Sequence, residues 1–337
     1  NMPRHEEQKA GQNYYSKDRR EIPLKKQDGF RESVLRQGGS HSIIIKLEAY
    51  KSGGTHRARR PDREEDMDNR AIGVFDSGLG GLTAAKEIRR LLPEETLIYF
   101  GDTARVPYGG RSKETLLKYA AQDIRFLKSF DLKAIVVACG TVSTTALPQL
   151  QRENDLPIIG VVDPACRRAV QVTRSRRVGL IATLASVRSG AYEACLHRLD
   201  PEITVISRAC PLFVPLVESG RIHSGDPVIE TVAREYLEPL KEQKIDTLIL
   251  GCTHYPLLWD ILAGIMGPEV TLVSAGAESA AALQALLRER DLLARSRCRG
   301  STSFYVSDRP DDFERTASLF LQEDLRNAAK RIDIEQY

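Results

Sequence analysis

From residue 71 onward the chain alternates short apolar, β-branched runs with amphipathic stretches, and that alternation leaves few folds open. Strand candidates fall at 72–75, 96–100, 134–138, 157–162, 178–182, 203–207, 247–250, 270–273 and 303–306. Helical periodicity fills intervening segments such as 82–92, 113–129, 187–199 and 226–243. Pro93 closes the first of these helices. Ser112 is placed to cap the second, with Glu114 in its first turn to suit the helix dipole. A strand–helix–strand succession of this length requires right-handed crossovers and parallel sheets. The eight strands from 72 to 273 also divide into two sets of four. The first of each set ends in a small polar turn, Asp76-Ser77-Gly78 and Thr183-Leu184-Ala185-Ser186. The third ends in a cysteine, Cys139 and Cys252. The expected fold is therefore α/β: two similar α/β domains with mainly parallel sheets facing across a central cleft. Residues 67–162 plus 274–337 are expected to form the first domain, and 163–273 the second.

Residues 1–66 differ from the rest. They are rich in Arg, Lys, Glu, Gln, Ser and Gly, and their one apolar cluster is Ile43-Ile44-Ile45-Lys46-Leu47. Such a segment buries too little to offset its ordering entropy, so a disordered extension is expected. Met67-Asp68-Asn69-Arg70 leads directly into the first strand and reads as a native start. The upstream residues then read either as an artefact or as a regulatory or partner-binding arm. The segment holds 15 Lys/Arg against 11 Asp/Glu, leaving 34 against 35 for the remainder, so the basic excess belongs to the arm. The remainder gives no reason to expect nucleic acid.

The six cysteines, at 139, 166, 195, 210, 252 and 298, show no CxxC pair and no zinc-like spacing, so no metal is expected. No apolar run approaches the roughly 18–20 residues of a membrane span, and no secretory segment precedes the thiols. Reduced cysteines in a cytoplasm, away from any membrane, fit this pattern best.

In an open α/β sheet ligands lie beyond the carboxyl ends of the strands, so Cys139 and Cys252 are expected to face one crevice. Two facing thiols can move a proton on and off the two sides of one carbon. Asp76-Ser77-Gly78-Leu79-Gly80-Gly81 opens a helix, which favours an anion, but its glycines lack dinucleotide spacing and Asp76 would repel a pyrophosphate. A short carboxylate-bearing ligand fits better, with Asp76 meeting a positive group or assisting a base. Pro107-Tyr108-Gly109-Gly110 offers free amides and a tyrosine hydroxyl to a second carboxylate. Cys252-Thr253-His254 packs a thiol, a hydroxyl and an imidazole into one turn, and a neighbouring imidazole favours the thiolate. Glu218 follows an apolar, proline-punctuated run and is a candidate to project into the cleft; a surface glutamate is the competing reading.

Taken in order, Asp76-Ser77-Gly78, Pro107-Tyr108-Gly109, Ala138-Cys139, Cys210-Pro211 with Glu218, and Gly251-Cys252-Thr253-His254-Tyr255-Pro256 resemble bacterial glutamate racemase. The resemblance runs from about Met67 to near the C-terminus. It implies cofactor-independent interconversion of L- and D-glutamate, supplying D-glutamate for peptidoglycan, often by a homodimer. It further implies that Cys139 and Cys252 act as base and acid on opposite faces of the α-carbon. Asp76 and His254 would assist them, with Glu218 near the second thiol. Ser77, Thr141 and Thr253 would bind the amino and carboxylate groups, and Pro107, Tyr108, Gly109 and Gly110 the side-chain carboxylate. No pyridoxal phosphate is implied.

One position departs from the resemblance. Asn usually follows the first cysteine, and here the residue is Gly140. Losing a substrate-binding amide costs about 1 to 3 kcal/mol if a buried partner is left unsatisfied. Competing readings are a racemase for aspartate or another amino acid, and a weakened paralogue retained for binding a partner.

Overall fold

The computed structural model describes residues 68–295 and 298–337, so the expectations for residues 1–66 and for Met67 lie outside the described residues. Among the described residues there are ten strands: β1 Ala71–Asp76, β2 Leu97–Gly101, β3 Leu132–Val137, β4 Ile158–Ile159, β5 Arg177–Ala182, β6 Thr204–Ala209, β7 Thr247–Leu250, β8 Thr271–Ser274, β9 Thr302–Val306 and β10 Ala329–Arg331. They form two sheets, ordered β10-β9-β2-β1-β3-β4 and β6-β5-β7-β8. Every pairing is parallel. The arrangement β2-β1-β3-β4 in the first sheet recurs as β6-β5-β7-β8 in the second, so the two sets of four strands are wound alike. In both, the first strand lies between the second and the third.

Burial on both faces explains the strand sequences. All six residues of β1 and all six of β3 are buried. Alternate side chains enter different cores, as a period of two requires. Ile72, Val74 and Tyr99 face a cluster with Leu82 and Ile88, while Phe75, Phe100, Ile135 and Val137 face one with Ile124 and Phe126. The second sheet divides similarly, with Val178, Leu180 and Ile249 on one side and Ile181, Leu248 and Leu250 on the other. Charged Lys330 and Arg331 keep the edge strand β10 exposed without inviting further pairing.

Helix Ala275–Glu289, directly after β8, packs on helix Leu82–Leu91 beside the first sheet. Gly276 allows this close approach, because a Cβ there would lie 3.3 Å from the Ala84 backbone. Helix Val162–Val172 contacts both Ala275–Glu289 and β8, so the two chain crossings between the sheets run side by side.

Several boundaries differ from the sequence expectation. The helix expected over 187–199 is two helices, Leu184–Arg188 and Ala191–Leu199, separated where Gly190 takes φ +63°. The strand expected over 157–162 shortens to β4, since the following residues coil into Val162–Val172 with Pro164 in the first turn. The short, charged β10 carries too weak a pattern to be read from sequence. Ser112 does cap its helix, accepting from the Thr115 N–H at 3.3 Å. Among the described residues no helix is long and apolar enough to cross a membrane.

Candidate active site

The carboxyl ends of β1, β2 and β3 open toward those of β5, β6 and β7 across a cavity of about 390 Å³. Asp76, Ser77, Pro107, Tyr108, Gly109, Cys139, Gly140, Thr141, Glu218, Cys252, Thr253 and His254 all contribute to its wall. Cys139 after β3 and Cys252 after β7 follow corresponding strands of the two sheets, and Cys210 after β6 also lines the wall.

The two sides touch at the base of the cavity. Thr83 Oγ1 donates to Thr253 O at 2.6 Å. Gly80 lies so close to the Cys252 turn that a Cβ would fall 2.4 Å from both His254 Nδ1 and Thr253 Oγ1. Only glycine fits there. Gly140 is also near the opposite sheet: a Cβ there would come 3.0 Å from the Gly251 carbonyl, a tight contact that a shift of a few tenths of an ångström relieves, and 3.7 Å from Ser186 Oγ.

The thiols sit in unlike fields. Cys139 is buried, donates to Ser77 Oγ at 3.5 Å, and lies near Asp76. Burial first and then the Asp76 charge push it up to about 12, so it rests as the protonated thiol. Asp76 accepts the Gly78 N–H at 3.1 Å; burial holds its carboxyl above the usual range, opposed by the nearby His254 and by backbone amides. Cys252 instead faces an imidazole. His254 Nδ1 is 3.8 Å from Cys252 Sγ, and Nε2 is 2.9 Å from Glu218 Oε1. Burial disfavours the imidazolium, but the bonds to Cys252 and Glu218 outweigh it and raise His254 to about 10. At neutral pH a cation therefore stands beside Cys252, while Cys139 has a carboxyl neighbour.

A profile of the Asp/Glu/Hydantoin racemase family matches residues 82–283. A glutamate racemase of Geobacter metallireducens is 48% identical over 252 residues, covering 75% of this chain and 93% of the relative. One from Bacillus cereus is 41% identical over 268 residues, covering 80% and 98%. This chain belongs to the glutamate racemase family. Solved members superpose well: a Bacillus anthracis glutamate racemase gives a TM-score of 0.75 at 38% identity over 79% of this chain and 98% of that one. The Francisella tularensis glutamate racemase, solved in complex with D-glutamate, gives 0.73 at 38% identity over 80% and 100%.

One expectation about the family site changes in detail. The Tyr108 hydroxyl does not reach into the cavity for a carboxylate. It donates inward to Asp102 Oδ2 and lies 3.2 Å from Asp123 Oδ2, with the ring buried. The Pro107–Gly110 turn is left to meet a ligand with its backbone. Glu218 points inward to His254 rather than lying free on the surface, although 42% of its side chain remains exposed.

Sequence reasoning passed over Thr183, Leu184 and Ser186, which also line the cavity. Their position after β5 corresponds to that of Asp76-Ser77-Gly78 after β1, so the repeat itself carried the missing signal. Cys210 and Pro211, after β6, stand opposite the Pro107 turn in the same scheme.

Proposed function

We propose that this racemase interconverts L- and D-glutamate without a cofactor, through Cys139 and Cys252 acting on opposite faces of the α-carbon. The observation that supports this reading most strongly is the placement of Cys139 and Cys252, from corresponding strands of the two sheets, in a single cavity with contrasting charges beside them. In one direction Cys252, beside the protonated His254, takes the α-proton from one face. The carbanion flattens, and the Cys139 S–H delivers a proton to the other face. In the reverse direction the two thiols exchange roles, beginning with Cys139 as thiolate.

An α-proton next to a carboxylate is very weakly acidic, so position, water exclusion and charge stabilisation must lower the barrier together. Ser77, Thr141 and Thr253 are assigned to the amino and α-carboxylate groups, with Gly140 among them. The Pro107–Gly109 backbone, continued by Gly110, is assigned to the side-chain carboxylate. Asp76 attends Cys139, and Glu218 attends His254.

The reading places residues 67–162 with 274–337 in one domain and 163–273 in the other. It places the enzyme in a bacterial cytoplasm, as a homodimer that supplies D-glutamate to peptidoglycan. Glutamate is preferred over aspartate because relatives at 41–48% identity over most of their length are named for glutamate.

Replacing either thiol tests the assignment. Cys139→Ala and Cys252→Ala are each expected to lower racemisation by roughly 10³-fold or more with an unchanged melting temperature. Turnover by either variant within tenfold of wild type would overturn the two-thiol mechanism.

A further inference from the structure

Behind the Pro107–Gly110 turn lies a cluster of charged groups that the proposed proton transfer does not use, with Tyr108 as its member on the cavity wall. Arg105 Nε donates to Asp102 Oδ2 at 2.6 Å, Nη2 to Asp123 Oδ1 at 2.9 Å, and Nη1 to Gln122 Oε1 at 2.6 Å. Its guanidinium also lies 4.1 Å from the centroid of the Tyr119 ring. The Tyr108 hydroxyl donates to Asp102 Oδ2 and lies 3.2 Å from Asp123 Oδ2, and Ser307 Oγ donates to the other Asp102 oxygen at 2.8 Å. Asp102 and Asp123 are fully buried, and Arg105 is only 9% exposed.

Buried ionic clusters contribute little net stability compared with apolar packing, because desolvation offsets their attraction. What they do supply is a single geometry: a planar guanidinium fork satisfies its partners in few arrangements. Burial, and then the neighbouring Asp102 charge, hold Asp123 well above the usual carboxylate range.

The cluster spans the segment between β2 and the cavity. Asp102, Arg105 and Tyr108 belong to it, while Gln122 and Asp123 anchor it to helix Lys113–Leu127 and Ser307 to the end of β9. The turn itself presents no side chain able to hold a ligand's carboxylate. Gly109 and Gly110 have none, with open space where a Cβ would stand, and the Tyr108 hydroxyl points away. Recognition by backbone depends on where that backbone is held.

We infer that Arg105, with Asp102, Tyr108 and Asp123, is a positioning cluster that fixes the Pro107–Gly110 backbone against the distal carboxylate of the substrate, an inference that rests on the glutamate reading above. The reacting carbon lies between the thiols, at the other end of the substrate. Loosening the turn therefore weakens substrate capture more than chemistry.

The test compares kcat and KM for glutamate in wild type, Tyr108→Phe, Arg105→Lys and Arg105→Met, with melting temperatures for each. Tyr108→Phe is expected to raise KM about 5- to 30-fold, by more than it lowers kcat, in a folded protein. Arg105→Met raises KM further, and Arg105→Lys recovers part of the loss. Tyr108→Phe keeps the ring, so it remains informative if Arg105→Met fails to fold. An active wild type whose folded Tyr108→Phe variant keeps the wild-type KM, or loses kcat alone, overturns the positioning role. A folded wild type with no glutamate turnover overturns the substrate reading and the inference with it.

Discussion

Glu218→Gln removes one charge from the chain Glu218–His254–Cys252 and leaves its shape almost intact. The carbonyl oxygen of the substituted amide can still accept from His254 Nε2, which lies 2.9 Å from Glu218 Oε1. The loss is therefore electrostatic. With charge centres about 4 Å apart and an effective dielectric of about 40, suited to a pair with one exposed partner, Coulomb's law gives roughly 2 kcal/mol. The 42% exposure of Glu218 argues for discounting this to about 1.4 kcal/mol, or one pH unit at His254. His254 then falls from about 10 toward about 9. The assay is kcat/KM for both enantiomers from pH 6.5 to 10.5, followed by chiral chromatography. The alkaline limb is expected to move down by about one unit, with little change at pH 7.5, where His254 is protonated in both enzymes, and a roughly 3- to 8-fold loss between about pH 9.5 and 10.5. L- and D-glutamate have equal free energy, so kcat/KM must fall equally in both directions. An unmoved alkaline limb would refute the charge-relay role of Glu218, and a loss beyond about 10³-fold would show that Glu218 touches the reacting atoms.

Stability should follow the same imidazole. His254 is raised above its ordinary 6.5 in the folded state, so its contribution is complete below about pH 6.5 and declines as pH rises toward 10. Between pH 7.5 and 9 this amounts to about 2 kcal/mol, and a His254→Gln variant should show a flatter melting-temperature profile across that window. An unchanged slope would refute the assignment; above about pH 9, ionisation of Cys139 adds a loss of the same sign. At position 140, Ala adds the contact 3.0 Å from the Gly251 carbonyl without supplying an amide, and should lower kcat/KM about 3- to 30-fold as Cys252 shifts away from Cys139. Gly140→Asn adds the amide as well and is expected to match or exceed wild type; activity below that of Gly140→Ala would mean that the pocket is built around glycine.

Much of this site was legible because strand-end chemistry is local. The β-branched run ending in Cys139 and its counterpart ending in Cys252 carry both the fold and the thiols in a few residues each. Two occurrences at equivalent rank imply facing sheets. What was not legible depends on contacts between distant segments. Nothing within Asp76–Gly81 shows that Gly80 must leave room for His254, since the obstruction comes from the other sheet. The Tyr108 hydroxyl was read as a ligand group because Asp102, its actual acceptor, and Asp123 are ordinary polar residues until folding brings them under the turn. Glu218 was ambiguous for the same reason, as its partner His254 lies 36 positions along the chain. The helix break at Gly190 is local, but an isolated glycine in a helical pattern is tolerated often enough to be passed over.

Two thiols working from opposite faces of one carbon leave a signature in the isotope taken up from solvent. Unlabelled D-glutamate would be turned over in D₂O and both enantiomers analysed by mass at low conversion. Newly formed L-glutamate is expected to carry deuterium at Cα while the remaining D-glutamate is still protiated, because the proton removed by one thiol is not the one delivered by the other. L-glutamate that retains the substrate's own α-proton would mean a single base serving both faces and would refute the two-thiol mechanism.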